Sequence, residues 1–450
     1  MSAYTRLVSD LLFPLHERLK GHSTLTVRRG LEQSQWLSPL AIEEFQLRRL
    51  NEFLVEVAKN VPYYRELMAN EGVVPGQFAS LSELQRLPFL TKSVIRANTE
   101  GMKSAQAGSL ARFNTGGSTG EPLIFFIGKE RVSHDVAAKW RATRWWGVDI
   151  GDPEIVVWGS PIELGAQDHV RWLRDKVFRT ELLPAFEMSA AKLDRFVEAI
   201  RKKRPKMLFG YPSALSHIAR HARERGVVMH NLGIKVAFVT SERLYDEQRV
   251  LISEVFGCPV ANGYGGRDAG FIAHECPAGG IHMTAEDVIV ELVDEEGKPV
   301  PNGVAGEIVV THLATKEFPF IRYRTGDVAV KSSCACACGR GLPLLQEIQG
   351  RTTDFVLTQH GEIMHGLALI YVLRDLPSVN SFKIVQHSRL FTEVFIVAAD
   401  GFGENVRALI IKGFKRRLGE GVEVIIKIVD KIPVEKSGKF RYIISYAEGS

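Results

Sequence analysis

Short apolar runs that alternate with amphipathic helix patterns occupy the middle of this 450-residue sequence. The runs at 155–158, 207–209 and 236–240 are each followed by Gly or Ser. A helix capped by Ser189 is predicted to turn four apolar side chains inward, namely Leu193, Phe196, Val197 and Ile200. Such alternation predicts a largely parallel sheet with helices on its faces. Ligands bind these sheets at loops beyond the carboxyl ends of the strands.

The sequence before residue 113 has a helical pattern. Ser38 can cap a helix whose first residue is Pro39, and this helix should end near Asn60, before Pro62. A second, short helix should follow Leu81. Because the chain is too long for one ordinary hydrophobic core, at least two domains are expected.

The later part of the chain changes character twice. Residues 288–313 have the pattern of a β-hairpin. After Gly350, strand patterns lie near 381–386, 393–397 and 422–428, with a helix pattern near 405–418. We therefore predict an α/β fold with a large N-terminal domain of mixed sheets and helices over 1–350. A small, mobile α+β C-terminal domain should cover 351–450.

Composition excludes several classes of function. The formal net charge is only +5, with 45% hydrophobic and 24% charged residues, as in soluble globular proteins without a nucleic-acid surface. The basic run at 412–417 is interpreted as the solvated face of a helix. No apolar run reaches the length of a membrane span, and charges interrupt the apolar N-terminus. We expect a cytoplasmic monomer or homodimer without nucleic-acid or membrane partners.

The sharpest local feature is the glycine-rich segment NTGGSTGEP at 114–122. Its three glycines allow the backbone to approach an anion closely, and its hydroxyl side chains add donors. No Lys-Ser/Thr pair follows the last glycine, so the segment is not a Walker loop.

The sequence of this glycine-rich segment also fits two other functions. It matches the G-x-S-x-G nucleophile elbow of hydrolases, with Ser118 as nucleophile. An elbow serine opens a helix, however, and Pro122 would clash with the carbonyl of Ser118 there. The following LIFF run has a strand pattern, which places the segment in a hairpin loop. A glycine-rich surface turn without a ligand is the remaining alternative.

A series of motifs along nearly the whole chain resembles the adenylate-forming superfamily. The motifs are NVPYYR at 60–65, LPFLTK at 87–92, the glycine-rich loop, GYPS at 210–213, TSE at 240–242, GYGGRD at 263–268, RYRTGD at 322–327, GRTTD at 350–354 and SGK at 437–439. Their order is similar to that of the phenylacetate–coenzyme A ligase family, and within it to the CapK-like branch.

The resemblance implies roles for particular residues. Tyr264 would stack on adenine, Asp327 would bind the ribose hydroxyls, and Arg351 would meet the ribose or phosphate. Asp268 stands where a glutamate is usual and would help to hold Mg²⁺. The other residues expected around ATP are Thr115, Gly117, Ser118, Thr119, Gly120, Ser241, Glu242, Gly263 and Gly265, and Thr119 is also placed among the catalytic residues.

Lys439 is the residue expected to promote adenylation, because a cation stabilises the charge that builds when a carboxylate attacks the α-phosphate. In the superfamily, the small domain pivots so that one site performs two reactions. That pivot would lie near Thr353 and Asp354. The chain departs from the usual pattern by having Thr353 where a hinge aspartate is common.

The cysteines indicate a metal site rather than a disulfide framework, because there are five and three of them are spaced two apart. By resemblance to the CapK-like branch, Cys276, His282, Cys336 and Cys338 would hold a structural zinc ion, with Cys334 as a possible replacement for Cys336. The site should lie close to the segments at 263–268 and 322–327. Reduced cysteines without a metal are the alternative.

The resemblance thus implies an ATP-dependent, AMP-forming acid–thiol ligase that uses ATP, Mg²⁺ and coenzyme A. Its substrate would be a carboxylic acid, with an aryl or arylacetic acid as the family's default. The first alternative retains adenylation but passes the acyl group to a carrier-protein thiol, an amine or a hydroxyl. A non-enzymatic, zinc-stabilised binding protein is the second alternative, and the intact glycine-rich loop and SGK motif argue against it.

Overall fold

The computed structural model describes residues 2–114, 123–158, 169–185, 190–351, 355–361, 363–365, 367–374, 376–432 and 442–447. These residues form two compact units. The larger unit ends at Gln349 and the smaller one begins at Gly350. Each unit contains a hydrophobic cluster of its own.

The N-terminal part of the larger unit is helical. Its elements are α1 (Ala3–Leu7), a π-helical segment (Val8–Leu12), α2 (Phe13–Lys20), α3 (Thr24–Ser34), α4 (Pro39–Asn60), α5 (Pro62–Asn70), a 3₁₀ segment (Leu81–Arg86) and α6 (Lys92–Asn98). The predicted boundaries of α4 are confirmed, and the Ser38 hydroxyl accepts the amide hydrogen of Ala41 at 3.2 Å. The expected short helix after Leu81 is a six-residue 3₁₀ helix.

An eleven-stranded sheet forms the centre of the larger unit, in the order β10-β11-β12-β13-β9-β8-β7-β6-β5-β3-β4. Its strands are β3 (Glu154–Trp158), β4 (Thr180–Pro184), β5 (Met207–Gly210), β6 (Val236–Thr240), β7 (Val260–Gly266), β8 (Gly270–Glu275), β9 (Ile281–Met283), β10 (Val288–Val293), β11 (Ala305–His312), β12 (Phe320–Lys331) and β13 (Leu344–Arg351). A separate antiparallel pair, β1 (Ala111–Asn114) and β2 (Ile124–Ile127), flanks the glycine-rich segment.

The sheet is parallel only from β4 through β3, β5 and β6 to β7. Within the described residues, the helices of this half are α7 (Lys129–Trp145), α8 (His169–Phe178), α9 (Ala190–Lys203), α10 (Pro212–Glu224) and α11 (Asp246–Phe256). The four predicted inward residues of α9 are buried, and its expected cap, Ser189, lies outside the described residues. The prediction of parallel pairing is confirmed for the three runs on which it rested, β3, β5 and β6, and the hairpin predicted at 288–313 is β10–β11. The return of β8 antiparallel to β7 was not predicted.

The smaller unit is built around a four-stranded sheet in the order β18-β17-β16-β19. Its elements are β14 (Phe355–Leu357), β15 (Ile363–His365), α12 (Leu367–Arg374), β16 (Val379–Ser388), β17 (Phe391–Ala398), α13 (Glu404–Leu418), β18 (Glu423–Ile428) and β19 (Ile443–Ser445). The three strands and the helix expected after Gly350 are all present. Ile410, Phe414 and Leu418 of α13 are buried and form the apolar face of that helix.

A buried ion pair joins α7 to the residues just before β10. Arg141 and Glu286 are each 1% exposed and form an ion pair at 2.6 Å. The Ser34 hydroxyl also donates to Glu286 at 2.7 Å, and Arg141 also donates to the Leu31 carbonyl at 3.1 Å. Removing either charged partner would leave an uncompensated buried charge, so the pair is a constraint on the larger unit.

His274 of β8 lies among aromatic side chains, close enough to Arg141 to be affected by its charge. Its fully buried ring lies 5.9 Å from the Phe238 ring and 5.4 Å from the Phe271 ring, measured between centroids. Neither ring nitrogen has a hydrogen-bond partner among the described residues. Burial, reinforced by the charge of Arg141, lowers the pKa of His274 from 6.5 to about 3.

This low pKa predicts a pH-dependent loss of stability. The folded protein holds His274 neutral, so its contribution is complete above pH 6.5 and is lost as the pH falls from there toward 3. We expect His274→Phe, which fills an aromatic site without a titrating group, to reduce the fall in unfolding free energy between about pH 7 and pH 5. Denaturant titrations at both pH values measure this, with the exposed His230→Phe as control. An unchanged pH dependence in His274→Phe would contradict the assignment.

Candidate active site and metal centre

Several segments expected to bind nucleotide meet at one edge of the main sheet. Ser241 and Glu242 follow the carboxyl end of β6, while Gly263 and Gly265 belong to the neighbouring β7. Thr240 pairs with Gly263 across these parallel strands. The structure therefore brings together the TSE and GYGGRD motifs, which lie more than twenty residues apart in the sequence. This is the edge at which open α/β sheets bind their ligands.

The turn after β6 has an uncommon backbone. Ser241 has a φ of 71°, in the left-handed region that residues with a Cβ atom rarely adopt. Such conformations persist where the surrounding structure imposes them, and they cluster at functional sites. The Glu242 carboxylate accepts the amide hydrogen of Ser213 at 3.3 Å, and Arg243 donates to the carbonyl of Gln349 at 2.8 Å. These contacts connect the turn to the first turn of α10 and to β13.

Tyr264 and Asp327 form the first of two tyrosine–aspartate pairs. The Tyr264 hydroxyl donates to Asp327 Oδ2 at 2.9 Å, which joins β7 to β12. Burial and the adjacent Asp327 carboxylate raise the pKa of Tyr264 well above 10. The phenol therefore stays protonated and acts as a donor, which orients the carboxylate predicted to bind ribose.

Tyr323 and Asp268 form the second pair. The fully buried Tyr323 donates its hydroxyl hydrogen to Asp268 Oδ2 at 2.7 Å. Asp268 Oδ1 accepts the amide hydrogen of Ala269 at 3.1 Å, and the Asp268 carbonyl accepts from Arg131 at 3.3 Å. The carboxylate predicted to hold Mg²⁺ is thus oriented through its side chain and its backbone. Carboxylate oxygen is a ligand that Mg²⁺ prefers, so this residue fits the expected ion.

Glycines make the tight turn between β7 and β8 possible. A Cβ atom at Gly265 would lie 2.2 Å from the carbonyl oxygen of Gly270. Gly270 itself has a φ of 84°, and a Cβ atom there would lie 2.7 Å from His312 Nε2 and 2.8 Å from an amino nitrogen of Arg131. Side chains at either position would therefore displace Asp268 from its place at the edge of the sheet.

A polar cluster of Arg131, Asp135 and His312 packs against this turn. Arg131 donates to Asp135 at 2.8 Å, and His312 Nε2 lies 3.8 Å from the same carboxylate. Burial alone would raise the pKa of Asp135, but Arg131 and His312 together lower it below the ordinary value. Burial and the charge of Arg131 lower the pKa of His312 to about 4, so its ring is neutral near pH 7. Arg131 and Asp135 belong to none of the sequence motifs, so their positions in the site could not be predicted from the sequence.

Part of the predicted site lies outside the described residues. This part comprises Thr115, Gly117, Ser118, Thr119, Gly120, Lys439 and the hinge residues Thr353 and Asp354. The backbone of Arg351 ends β13, and its side chain is not among those described. The roles of these residues remain predictions. Tyr323, in contrast, was quoted in the RYRTGD motif without a role, and only its contact with Asp268 indicates one.

The four predicted zinc ligands come together at the metal centre. Their donor atoms all lie within 4.8 Å of one another. Cys276 Sγ lies 3.6 Å from Cys336 Sγ, and Cys338 Sγ lies 3.2 Å from His282 Nε2. Two thiolates bound tetrahedrally at about 2.3 Å from one zinc ion would be roughly 3.8 Å apart, so the donor set fits this metal.

The surroundings of the metal centre favour Cys336 over Cys334 as a ligand. Cys334 is exposed and does not belong to the group. A Cβ atom at position 280 would lie 2.6 Å from Cys336 Sγ, so Gly280 leaves room for that sulfur. His282 Nδ1 lies 3.4 Å from the Leu342 carbonyl, which leaves Nε2 directed at the thiols.

The candidate metal site lies near one end of the GYGGRD motif and away from the other. Cys276 directly follows β8, whereas Gly270 and the Asp268 turn lie at the other end of that strand. Six residue steps along a strand, from Gly270 to Cys276, span roughly 20 Å. Gly263, at the start of the same motif, pairs with His274, which lies two residues before Cys276, so the expected closeness applies to Gly263 and not to Asp268.

The chain matches two known protein families. Residues 181–314 match the family described as AMP-binding enzyme, and residues 356–446 match the CapK C-terminal domain. Protein CapK of Staphylococcus aureus is 24% identical over 406 residues, which are 89% of either chain. Phenylacetate-coenzyme A ligase of Thermus thermophilus is 25% identical over 446 residues, covering 90% of this chain and 96% of that enzyme.

The fold is also that of solved ligase structures. A 2-hydroxyisobutyryl-CoA ligase in its postadenylation state, in complex with R3-HIB-AMP, superimposes with a TM-score of 0.71 at 21% identity. The match covers 91% of this chain and 90% of that enzyme. The same ligase in complex with 2-HIB-AMP and CoA matches with a TM-score of 0.61. These similarities confirm the predicted fold class.

The two tyrosine–aspartate pairs predict separable effects. Tyr323→Phe removes only the hydroxyl that orients Asp268, so the Mg²⁺ concentration for half-maximal adenylation should rise about tenfold. Mn²⁺ binding in the presence of a non-hydrolysable ATP analogue, followed by electron paramagnetic resonance, should weaken similarly. Tyr264→Phe is the matched control and should raise KM for ATP while leaving the metal requirement unchanged. Equal metal requirements in wild type and Tyr323→Phe would refute the role of Tyr323.

The proposed zinc site predicts the metal content and the thermal stability of cysteine variants. Protein purified without chelator should contain about one equivalent of zinc, and Cys336→Ser should lose most of it and melt at a lower temperature. Cys334→Ser should retain both the metal and the melting temperature. Elemental analysis and thermal unfolding measure these outcomes. Zinc far below one equivalent in the wild type would contradict the assignment.

Proposed function

We propose that this chain, which belongs to the phenylacetate–coenzyme A ligase-like, CapK-like part of the adenylate-forming superfamily, activates a carboxylic acid with ATP and transfers the acyl group to coenzyme A. The observation that carries the proposal is the paired arrangement of Tyr264 with Asp327 and of Tyr323 with Asp268. It places groups suited to a nucleoside and to a hard cation together at the ligand-binding edge of the sheet.

The first half-reaction joins the acid to AMP. A carboxylate oxygen attacks the α-phosphorus of ATP, the bond to the β-phosphate oxygen breaks, and pyrophosphate leaves. Tyr264 and Asp327 hold the adenosine, through ring stacking and through acceptance of the ribose hydroxyl hydrogens. Asp268 would hold Mg²⁺, which when bound neutralises charge on the phosphates.

Lys439 supplies the mobile positive charge for this step in the proposal. Negative charge increases as two anions approach, and an ammonium group placed at that point stabilises the transition state. The small domain then moves to allow the second half-reaction, in which a thiolate attacks the acyl carbon and AMP leaves. The match of residues 356–446 to the CapK C-terminal domain supports a dedicated role for this unit.

An aryl or arylacetic acid is the proposed substrate class. Trp158 and Tyr211, at the carboxyl ends of β3 and β5, stack with centroids 4.3 Å apart and planes inclined by 21°. Such a surface suits the face of an aromatic ring. The relatives named phenylacetate-coenzyme A ligase support the same class.

A second candidate differs only in the acceptor. The relative named CapK and the CapK C-terminal match favour transfer to a carrier-protein thiol, an amine or a hydroxyl, for example in polysaccharide or secondary-metabolite biosynthesis. Both candidates share the acyl-adenylate, so they diverge only after pyrophosphate has left.

A pyrophosphate-exchange screen tests the shared step. The screen uses a panel of aryl, arylacetic and aliphatic acids, with and without coenzyme A. Acid-dependent exchange without coenzyme A is expected, since adenylation precedes thiol transfer. Thioester formation then supports coenzyme A as acceptor, while exchange without any thioester favours the second candidate. Absence of exchange with every acid would refute adenylation.

Lys439→Ala should lower the rate of adenylation by about 10²–10³, the cost of removing one donor from a preorganised anion site. The loss should appear in kcat rather than in KM for ATP, because the charge acts in the transition state. Lys431→Ala changes an exposed lysine eight positions earlier and is the matched control. Equal exchange rates in both variants would exclude Lys439 from the reaction.

A further inference from the structure

An exposed apolar face runs along the N-terminal helices of the larger unit. Leu7, Leu11, Leu15 and Leu19 are exposed to 45%, 57%, 53% and 80%. In an ideal α-helix, which has 3.6 residues per turn, side chains four residues apart point in slightly different directions around the helix axis. The π-helical segment Val8–Leu12 has a wider turn, which reduces this difference in direction. The opposite side of these helices is buried against the protein.

Helix α8 extends this face. The Tyr4 hydroxyl donates to the Val177 carbonyl at 2.9 Å, and the Phe13 and Phe178 rings pack with centroids 5.6 Å apart. Trp172 and Leu173 on α8 are exposed to 57% and 59%, and Tyr4 to 40%. We call the set Tyr4, Leu7, Leu11, Leu15, Leu19, Trp172 and Leu173 the leucine face. These exposed apolar residues lie on helices that pack against one another, and a concentration of such residues is typical of an interaction site.

Basic residues surround the leucine face. Among the side chains that the structure describes, six basic ones on these helices or next to them are exposed or half-buried, namely Arg6, Arg18, Lys20, Arg174, Lys176 and Arg179. Within the same described set, Asp10 and Asp175 are the comparably accessible acidic residues, and Asp175 forms an ion pair with Arg174 at 2.6 Å. Glu17 is buried and engaged by His22. The face is therefore apolar at its centre and positively charged around it.

We propose that the leucine face docks on the surface of an anionic lipid bilayer. Leucines that enter the acyl boundary, tryptophan and tyrosine at headgroup level and surrounding basic side chains are the three elements of interfacial helices. Each basic side chain near an anionic membrane strengthens the attachment. A second copy of this chain suits the face less well, because a symmetric contact would place six basic residues against six.

This docking requires no membrane-spanning segment. None of the helices in the described part of the chain combines the length and apolarity needed to cross a bilayer. The sequence predicted no membrane partner because no apolar run reaches the length of a membrane span and charges interrupt the apolar N-terminus. The attachment is independent of the proposed reaction, and its test requires no substrate.

Vesicle sedimentation of the full-length protein tests the proposal. We expect binding to phosphatidylcholine vesicles that contain phosphatidylglycerol, little binding to phosphatidylcholine alone, and loss of binding as salt screens the charges. Leu11→Gln combined with Leu15→Gln should reduce the partition coefficient about tenfold or more, since both side chains would otherwise leave water. Leu390→Gln with Leu409→Gln changes two leucines of matching exposure, 57% and 55%, and should bind like wild type.

Three outcomes would overturn the proposal. The first is absence of binding to either vesicle type, and the second is equal loss of binding in both double variants. The third is a wild-type dimer that becomes a monomer in Leu11→Gln with Leu15→Gln, detected by light scattering, without vesicle binding. That result would assign the leucine face to a second copy of the chain. Unchanged thermal unfolding of both variants verifies that the substitutions leave the fold intact.

Discussion

The reversal of direction between β7 and β8 is the constraint on which the site depends. The parallel half of the sheet ends at β7, and the turn there brings Asp268 to the edge where ligands bind. Only glycine fits at positions 265 and 270, since a Cβ atom would strike the backbone at one and His312 and Arg131 at the other. Backbone packing at two residues thus determines where the predicted metal-binding carboxylate lies.

Strand β12 completes the arrangement, and the N-terminal LPFLTK motif holds it in place. Leu90 donates its amide hydrogen to the Arg322 carbonyl at 2.9 Å and accepts that of Arg324 at 3.0 Å. The Phe89 ring lies 4.2 Å from the Arg322 guanidinium, which also binds Glu291. These contacts flank Tyr323. Two motifs that are far apart in the chain therefore meet at β12. The LPFLTK motif pairs with this strand, and the RYRTGD motif, which is part of it, contains Tyr323 and Asp327.

The proposed metal site would act on β8 and β12 together. Cys276 follows β8, and the segment with Cys336 and Cys338 follows β12. A zinc ion bound there would join the carboxyl ends of these strands, and Asp327 lies four residues before the end of β12. Its loss should therefore disturb the site indirectly, through strand position, rather than by removing a catalytic group.

The sequence by itself determined the local elements and the identity of the motifs, because caps, apolar periodicity and glycine spacing act over short distances. Helix α4 from Pro39 to Asn60 is an example, whereas the four metal-site residues, Asp268, Tyr264 and Asp327 were assigned from resemblance. Only the tertiary structure revealed the antiparallel return of β8, the contact of Tyr323 with Asp268 and the position of Cys276 at the end of β8 remote from the Asp268 turn. These depend on strand order and direction, which arise from packing between residues remote in the chain.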